Sequence, residues 1–465
     1  MVFSSELFLF IFLPATLLGC LILRRHLKLK NTWLLAVSLA FYAYGSHEIV
    51  LLLLFSVFIN WAIALLITKN REAKVKKLLL ATDIIINLGY LFYFKYYNFF
   101  RENVAALTGG ASDFERIVLP IGISFFTFQA LSYCIDVYRD HTLVQKNIFN
   151  VALYIAFFPQ LIAGPIVRFK TISEEIKRRH VTWEDLSEGS TRFVYGLGKK
   201  VLIANLMGIM ADELYAMEPS KLSVGAAWIA SIAYTFQIYF DFSGYSDMAI
   251  GLGRMFGFHF LENFDFPYIS RTVTEFWRRW HISLGSWFRD YIYIPLGGNR
   301  KGKGRQIINL EVVWLMTGIW HGANWTFILW GVFYGILIIL EKLTGLDRKM
   351  PAVIGNVYTM FTVNTLWVLF RSDNLTAASG MLQTMFGFTG APLWDDNAAF
   401  YLAENYTLFI AAFVLSLPLI KSMKKLNAVR TIFDLARPFI VASILLFSVS
   451  FMVKGAYNPF IYFNF

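Results

Sequence analysis

The 465-residue sequence contains two cysteines, Cys20 and Cys134. That is too few for a disulfide framework, a zinc ribbon or an iron–sulfur set. Charge is scarce too: 16% of residues are Asp, Glu, Lys or Arg, against about 25% in ordinary soluble domains. No linker, internal repeat, low-complexity tract or soluble appendage interrupts the chain. A single soluble core stops growing at roughly 250–300 residues, so a soluble chain this long would need linkers. Apolar residues are abundant instead: 57% hydrophobic, 18% aromatic, mean hydropathy +0.54. Apolar stretches recur from residues 6–23 to 437–456, many near the ~20 residues that cross a bilayer. A soluble multidomain protein is excluded. The pattern predicts an all-α polytopic membrane protein of about ten to twelve crossings, with re-entrant or interfacial pieces.

The net charge of +11 follows from the positive-inside rule for membrane proteins and calls for no nucleic acid. No basic residue precedes the first apolar stretch, whereas Arg24, Arg25, His26, Lys28 and Lys30 follow it. This reads as an anchor whose start faces outside, not a cleavable signal. Basic loops at 24–30 and 69–77 are expected in the cytoplasm, with two crossings between them. The loop at 101–116, with Glu102, Asp113 and Glu115, suits the outside. Lys421, Lys424, Lys425 and Arg430 mark another cytoplasmic loop, and Asp395, Asp396 and Glu404 the outer side. The stretch 222–257 reads as one long helix or two with a break. Pro159, Gly164 and Pro165 interrupt 148–167, which predicts a kinked or re-entrant element, tolerable only where protein or water surrounds it.

Residues 271–305 depart from this pattern, with eight Lys or Arg against Glu275 and Asp290 and a high density of aromatics. Read as a helix, Trp277, Trp280, His281, Leu284 and Phe288 share one face, away from Arg271, Glu275, Arg278 and Arg289. Such a segment serves equally as a membrane-surface anchor with snorkelling arginines or as a cytoplasmic vestibule for an anionic ligand.

Of seven histidines, His26, His141 and His180 adjoin charged loop residues, His47 sits in a short turn, and His259 follows a helix end. His281 and His321 are embedded in Trp-rich apolar sequence. Ionisable groups at membrane depth are costly and commonly functional, although a histidine there also serves as an interhelical hydrogen-bonder. His321 lies sixteen residues beyond Arg305, roughly 24 Å along a continuous helix. An uncharged imidazole so placed suits a general base or a transient acyl acceptor. The glycines of GLGRMFG lack dinucleotide spacing and follow no strand. FSGYS lacks the flanking glycines of a nucleophile elbow.

The stretches EFWRRWHISLGSWFRDYIYIPLGGNRKGKGR (Glu275–Arg305) and MTGIWHGANWTFILWG (Met316–Gly331) resemble the signature of the membrane-bound O-acyltransferase superfamily. Further strings resemble its bacterial alginate O-acetyltransferase branch: MVFSS at the start, LPIGISFFTFQALSYCIDVYRD (Leu119–Asp140), FFPQLIAGPIVRF (Phe157–Phe169), FDFSGYSDMAIGLGRMFG (Phe240–Gly257) and PLGGN (Pro295–Asn299). The resemblance runs to about Arg371. It implies one integral-membrane domain over 1–465, a catalytic core near 119–371, and helices around a central tunnel.

By the same resemblance, His321 matches the family's key histidine and His281 its second polar position, orienting a group or polarising a thioester. The implied donor is cytoplasmic acetyl-CoA, with no permanently bound cofactor and no metal. The implied place is a bacterial cytoplasmic membrane, with lipid around the chain and an extracytoplasmic SGNH-type partner that completes transfer to a polysaccharide. Arg300, Lys301, Lys303 and Arg305, beside Gly297 and Gly298, are candidates to hold the phosphates of coenzyme A, a lipid headgroup being the competing ligand. Asp241, Ser243, Tyr245, Trp277, Trp280 and Asn324 are candidate tunnel residues, although polar groups such as the first three also bond neighbouring helices. The alternatives are D-alanyl transfer from a carrier protein, as in teichoic acid modification, and a transporter, whose inverted repeats are not evident.

Overall fold

The computed structural model describes residues 1–45, 49–110, 115–423, 425–455 and 457–461, excepting the side chains of residues 347 and 348. His47, Asp113 and Lys424 therefore lie outside the described residues. Among these residues every regular element is a helix. In order they are α1 (Leu13–Ile22), α2 (Leu27–Gly45), α3 (Val50–Lys69), α4 (Ala73–Leu91), α5 (Tyr97–Thr108), α6 (Ile123–Arg139), α7 (Ile148–Ala156), α8 (Phe158–Leu161), α9 (Phe169–Lys177), α10 (Trp183–Gly198) and α11 (Asn205–Tyr215). There follow α12 (Val224–Met255), α13 (Val273–Arg279), α14 (Ile282–Phe288), α15 (Lys303–His321), α16 (Trp325–Thr344), α17 (Leu346–Lys349), α18 (Ala352–Arg371), α19 (Leu375–Met385), α20 (Asp396–Leu415), α21 (Leu419–Met423) and α22 (Asn427–Val453).

Among the described residues, seven helical runs are long and apolar enough to cross a bilayer: 50–69, 73–108, 183–215, 325–344, 352–371, 396–415 and 427–453. Phe8–Ile22 is apolar but shorter. The protein is an all-α, multi-pass membrane protein. Seven is fewer than the ten to twelve crossings expected, for a compositional reason. Helices α2, α12 and α15 are of spanning length but carry polar residues such as Lys28, Asp241 and Glu311, and α6 stops at 17 residues. Of the two readings of 222–257, the single helix is the observed one: α12 runs unbroken for 32 residues, about 48 Å.

The chain sorts into two compact units, residues 1–193 with 246–261, and residues 194–245 with 262–465. In the first unit, Asn60 of α3 and Asn87 of α4 exchange side-chain hydrogen bonds at 3.2 and 3.3 Å. Tyr90 donates to Asn87 at 2.7 Å. Polar groups thus join helices where lipid supplies no hydrophobic drive between them. Residues 148–167 are broken as the prolines predicted, into α7, the one-turn α8 and irregular chain, and 151–167 are all buried. The non-helical backbone is therefore enclosed by protein, the condition under which it is tolerated.

In the second unit, glycine sets the approach of α15 and α16. A Cβ on Gly331 would collide with the Trp314 carbonyl and sit 3.0 Å from the Cα of Gly318. Backbone therefore meets backbone at this crossing, and His321 is brought beside Trp330. Helix α13 is started by the buried carboxylate of Glu341 on α16, which accepts from the Val273 and Thr274 amides at 2.6 and 2.8 Å. An anion is favoured at that end of a helix.

The expectation of one helix through 271–288 is corrected. The chain breaks at Trp280, which is extended, and His281, which has φ +46°. The cause is Asn263, eighteen residues earlier. Its backbone oxygen accepts from Ile282 N at 3.0 Å and its side-chain oxygen from Ser283 N at 3.1 Å, replacing the helical partners of those amides.

Candidate active site

His321 is the last residue of α15 and is 2% exposed. Its ring lies 5.0 Å, centroid to centroid, from both Trp320 and Trp330 and 5.2 Å from Phe370. His281, 1% exposed, packs edge-on against Phe242 at 4.6 Å, and Trp320 lies 6.0 Å from it. The Trp320 ring therefore neighbours both imidazoles, and the structure brings the two expected histidines into one aromatic nest.

The protonation of His281 follows from Asn263. The atom of Asn263 that faces the ring accepts from the Ser283 amide, so it is the oxygen, and it also accepts from the Ser283 hydroxyl at 2.9 Å. His281 Nδ1 lies 3.2 Å from that oxygen and so carries the proton. The ring is buried, and burial disfavours the charged form, which leaves the lone pair of the neutral ring on Nε2. The ring can therefore accept from a hydroxyl but cannot donate to a carbonyl. Of the two roles expected for His281, orientation of a hydroxyl is compatible with this tautomer. Asn263 and Ser283 were missed by sequence reasoning, since nothing in LENFDFP marks one asparagine as the partner of a distant histidine.

Trp277 and Trp280 belong to the same nest. Trp277 packs against Trp314, Tyr334 and Trp330 at 4.8, 4.9 and 5.4 Å, and Trp280 against Phe264 and Trp367 at 5.0 and 5.2 Å. Asn324 caps α16, accepting from Thr326 N at 3.1 Å and donating to the Asp373 carbonyl at 2.7 Å. Its side chain is thus committed to holding the turn after His321. A cavity of about 190 Å³ lies between Phe236, Tyr268, Asn356, Met360 and Phe413, and neither histidine lines it.

Asp241, Ser243 and Tyr245 are buried on α12, and their surroundings differ from those of the histidines. Asp241 forms a 2.6 Å ion pair with buried Lys200 and accepts from the Ile461 amide at 3.0 Å. Lys200 also donates to the Pro459 carbonyl, Tyr457 to Asp212, and Phe460 stacks on Tyr245 at 4.4 Å. The segment 457–461 therefore covers two of these three expected tunnel residues. Sequence reasoning assigned this segment no role.

The basic group is exposed. Arg300, Lys301, Lys303 and Arg305 form no ion pair among the described residues. They surround a tight turn in which Gly297, Gly298 and Gly302 have positive φ, a conformation that glycine adopts freely. Asn309 of α15 donates to the Gly298 carbonyl at 2.9 Å and anchors the turn. Four uncompensated cations beside glycine-rich backbone suit a phosphate-bearing ligand.

A buried imidazole thus ends the helix that begins beside the exposed cations, and a second buried imidazole lies by the same tryptophan. Residues 75–370 match the membrane-bound O-acyltransferase family, and the chain belongs to that family of acyltransferases. It is 41% identical to a probable alginate O-acetylase of Pseudomonas putida over the whole of both chains. A probable alginate O-acetylase of Pseudomonas syringae pv. tomato is 43% identical over 89% of this chain and 80% of its own. A peptidoglycan O-acetyltransferase of Helicobacter pylori is 36% identical, covering 84% and 81%.

Proposed function

We propose that the protein is a membrane O-acetyltransferase that takes acetyl from cytoplasmic acetyl-CoA and delivers it to hydroxyls of an extracytoplasmic polysaccharide. It would work in a bacterial cytoplasmic membrane, N-terminus outside, with an SGNH-type partner completing the transfer. The observation that carries this reading is α15. One continuous helix joins Lys303 and Arg305, exposed and uncompensated, to His321, buried in the aromatic nest. A phosphate-bearing donor held at the first end places its acyl group toward the second. The activities named for the relatives, on alginate and on peptidoglycan, support acetyl as the group and an envelope polymer as its destination.

In this mechanism His321 takes the proton of the attacking hydroxyl and returns it to the departing thiolate, or accepts the acyl group transiently. His281, with its lone pair on Nε2, orients that hydroxyl. The test is incubation of the purified protein with labelled acetyl-CoA, following free thiol release and acyl attachment by intact mass. Thiol release by the wild-type protein, abolished in His321→Ala while that variant still elutes as a single species, is the expected result. Retention of most activity in His321→Ala removes this residue from the mechanism.

A further inference from the structure

Three buried hydrogen-bond donors gather in one cluster, of which Trp330 borders His321. The indole nitrogens of Trp277 and Trp330 and the hydroxyl of Tyr334 have no hydrogen-bond partner among the described residues. Trp330 and Tyr334 are each 0% exposed. Their ring centroids lie 5.1 Å apart, Trp277 is 5.4 Å from the first and 4.9 Å from the second, and Trp330 is 5.0 Å from the imidazole of His321. Buried polar atoms are almost always paired, and each exception calls for an explanation. The rings meet edge-on, so N–H and O–H contacts with ring faces offer partial relief, but such contacts are weak. Phenylalanine would fill the position of Tyr334 without stranding a hydroxyl. Three unpaired donors in one cluster are the arrangement left when the acceptor arrives with the substrate.

We propose that Tyr334 and Trp330, assisted by Trp277, receive the carbonyl oxygen of the acyl thioester and stabilise the anion that develops on it. The assignment rests on the acyl-transfer reading and supplies what that reading lacks, because neutral His281 offers an acceptor and not a donor. In the step, the acceptor's hydroxyl oxygen bonds to the carbonyl carbon and His321 takes the hydroxyl proton. The C=O electron pair moves onto the oxygen facing the donors. Collapse re-forms C=O and breaks the C–S bond, and the thiolate leaves with the proton from His321. Donors fixed where charge appears lower the barrier more than they tighten binding.

The experiment compares wild type, Tyr334→Phe and Trp330→Phe, measuring kcat and KM for thiol release from acetyl-CoA in the presence of an oligosaccharide acceptor, together with the thermal unfolding midpoint. Tyr334→Phe should lower kcat by about ten-fold or more with KM within about two-fold, and its midpoint should stay or rise because a stranded hydroxyl has been removed. Trp330→Phe should lower kcat in the same way. Unchanged kcat in Tyr334→Phe, or a kcat that falls only in step with a lower midpoint, overturns the assignment while leaving the acyl-transfer reading intact. Wild-type protein inert toward acetyl-CoA overturns the reading itself, and the assignment with it.

Discussion

His281 holds a left-handed backbone conformation that non-glycine residues seldom adopt, and strain of this kind persists where surroundings over-determine it. Asn263 is the determinant. Asn263→Ala removes one oxygen that serves the Ser283 amide, the Ser283 hydroxyl and the His281 ring, and should cost about 1–3 kcal/mol of stability. Acyl transfer should fall further than stability does, because the imidazole loses its tautomer. Asn263→Asp, which keeps an acceptor, should recover most of the stability in thermal melts. A second histidine titrates where it can be followed. Burial opposes charging of His259, but Glu175 at 2.8 Å and Asp185 at 3.3 Å outweigh it and raise its pKa. A raised value means the ion pairs contribute fully below the ordinary histidine range and are lost as pH rises through the folded value. The unfolding midpoint should therefore decline as pH rises from the ordinary histidine range through the raised folded value, and His259→Gln should flatten that decline. A wild-type slope unchanged in the variant would count against the assignment. Sequence singled out His281 and His321 because ionisable groups are conspicuous among tryptophans. It passed over Trp330 and Tyr334, which look like ordinary apolar filling until their polar atoms are seen to lack partners.

At the scale of the element, the seam between α15 and α16 fixes where His321 stands. Gly331→Ala places a methyl group against the Trp314 carbonyl, so the helices must part. The expected cost is about 1–3 kcal/mol, read as a lower unfolding midpoint, with acyl transfer falling alongside because the imidazole moves from Trp330. Helix periodicity left 222–257 open between one helix and two, which α12 resolves as one, whereas proline was a sound guide where a helix breaks, as after α7. Periodicity failed between α13 and α14. The apolar spacing there continues through the break, while the interruption is imposed by a loop that periodicity does not sense. Even so, Trp280, His281, Leu284 and Phe288 are all buried, because burial followed the apolar pattern even though the backbone did not.

Across the whole molecule, composition alone established the helical membrane class, and charge placement marked the exposed basic turn. Replacing Arg300, Lys301, Lys303 and Arg305 together by Gln should raise KM for acetyl-CoA more than it lowers kcat, and should weaken the dependence of KM on salt. An unchanged KM would assign these side chains to lipid headgroups. What composition could not convey is the long-range closure of the chain upon itself. The segment 457–461 returns to Lys200, Asp212, Asp241 and Tyr245, positions scattered over two earlier helical runs. Cutting the chain before Tyr457 would open a buried ion pair to its surroundings and leave one carboxylate oxygen without the amide that now donates to it.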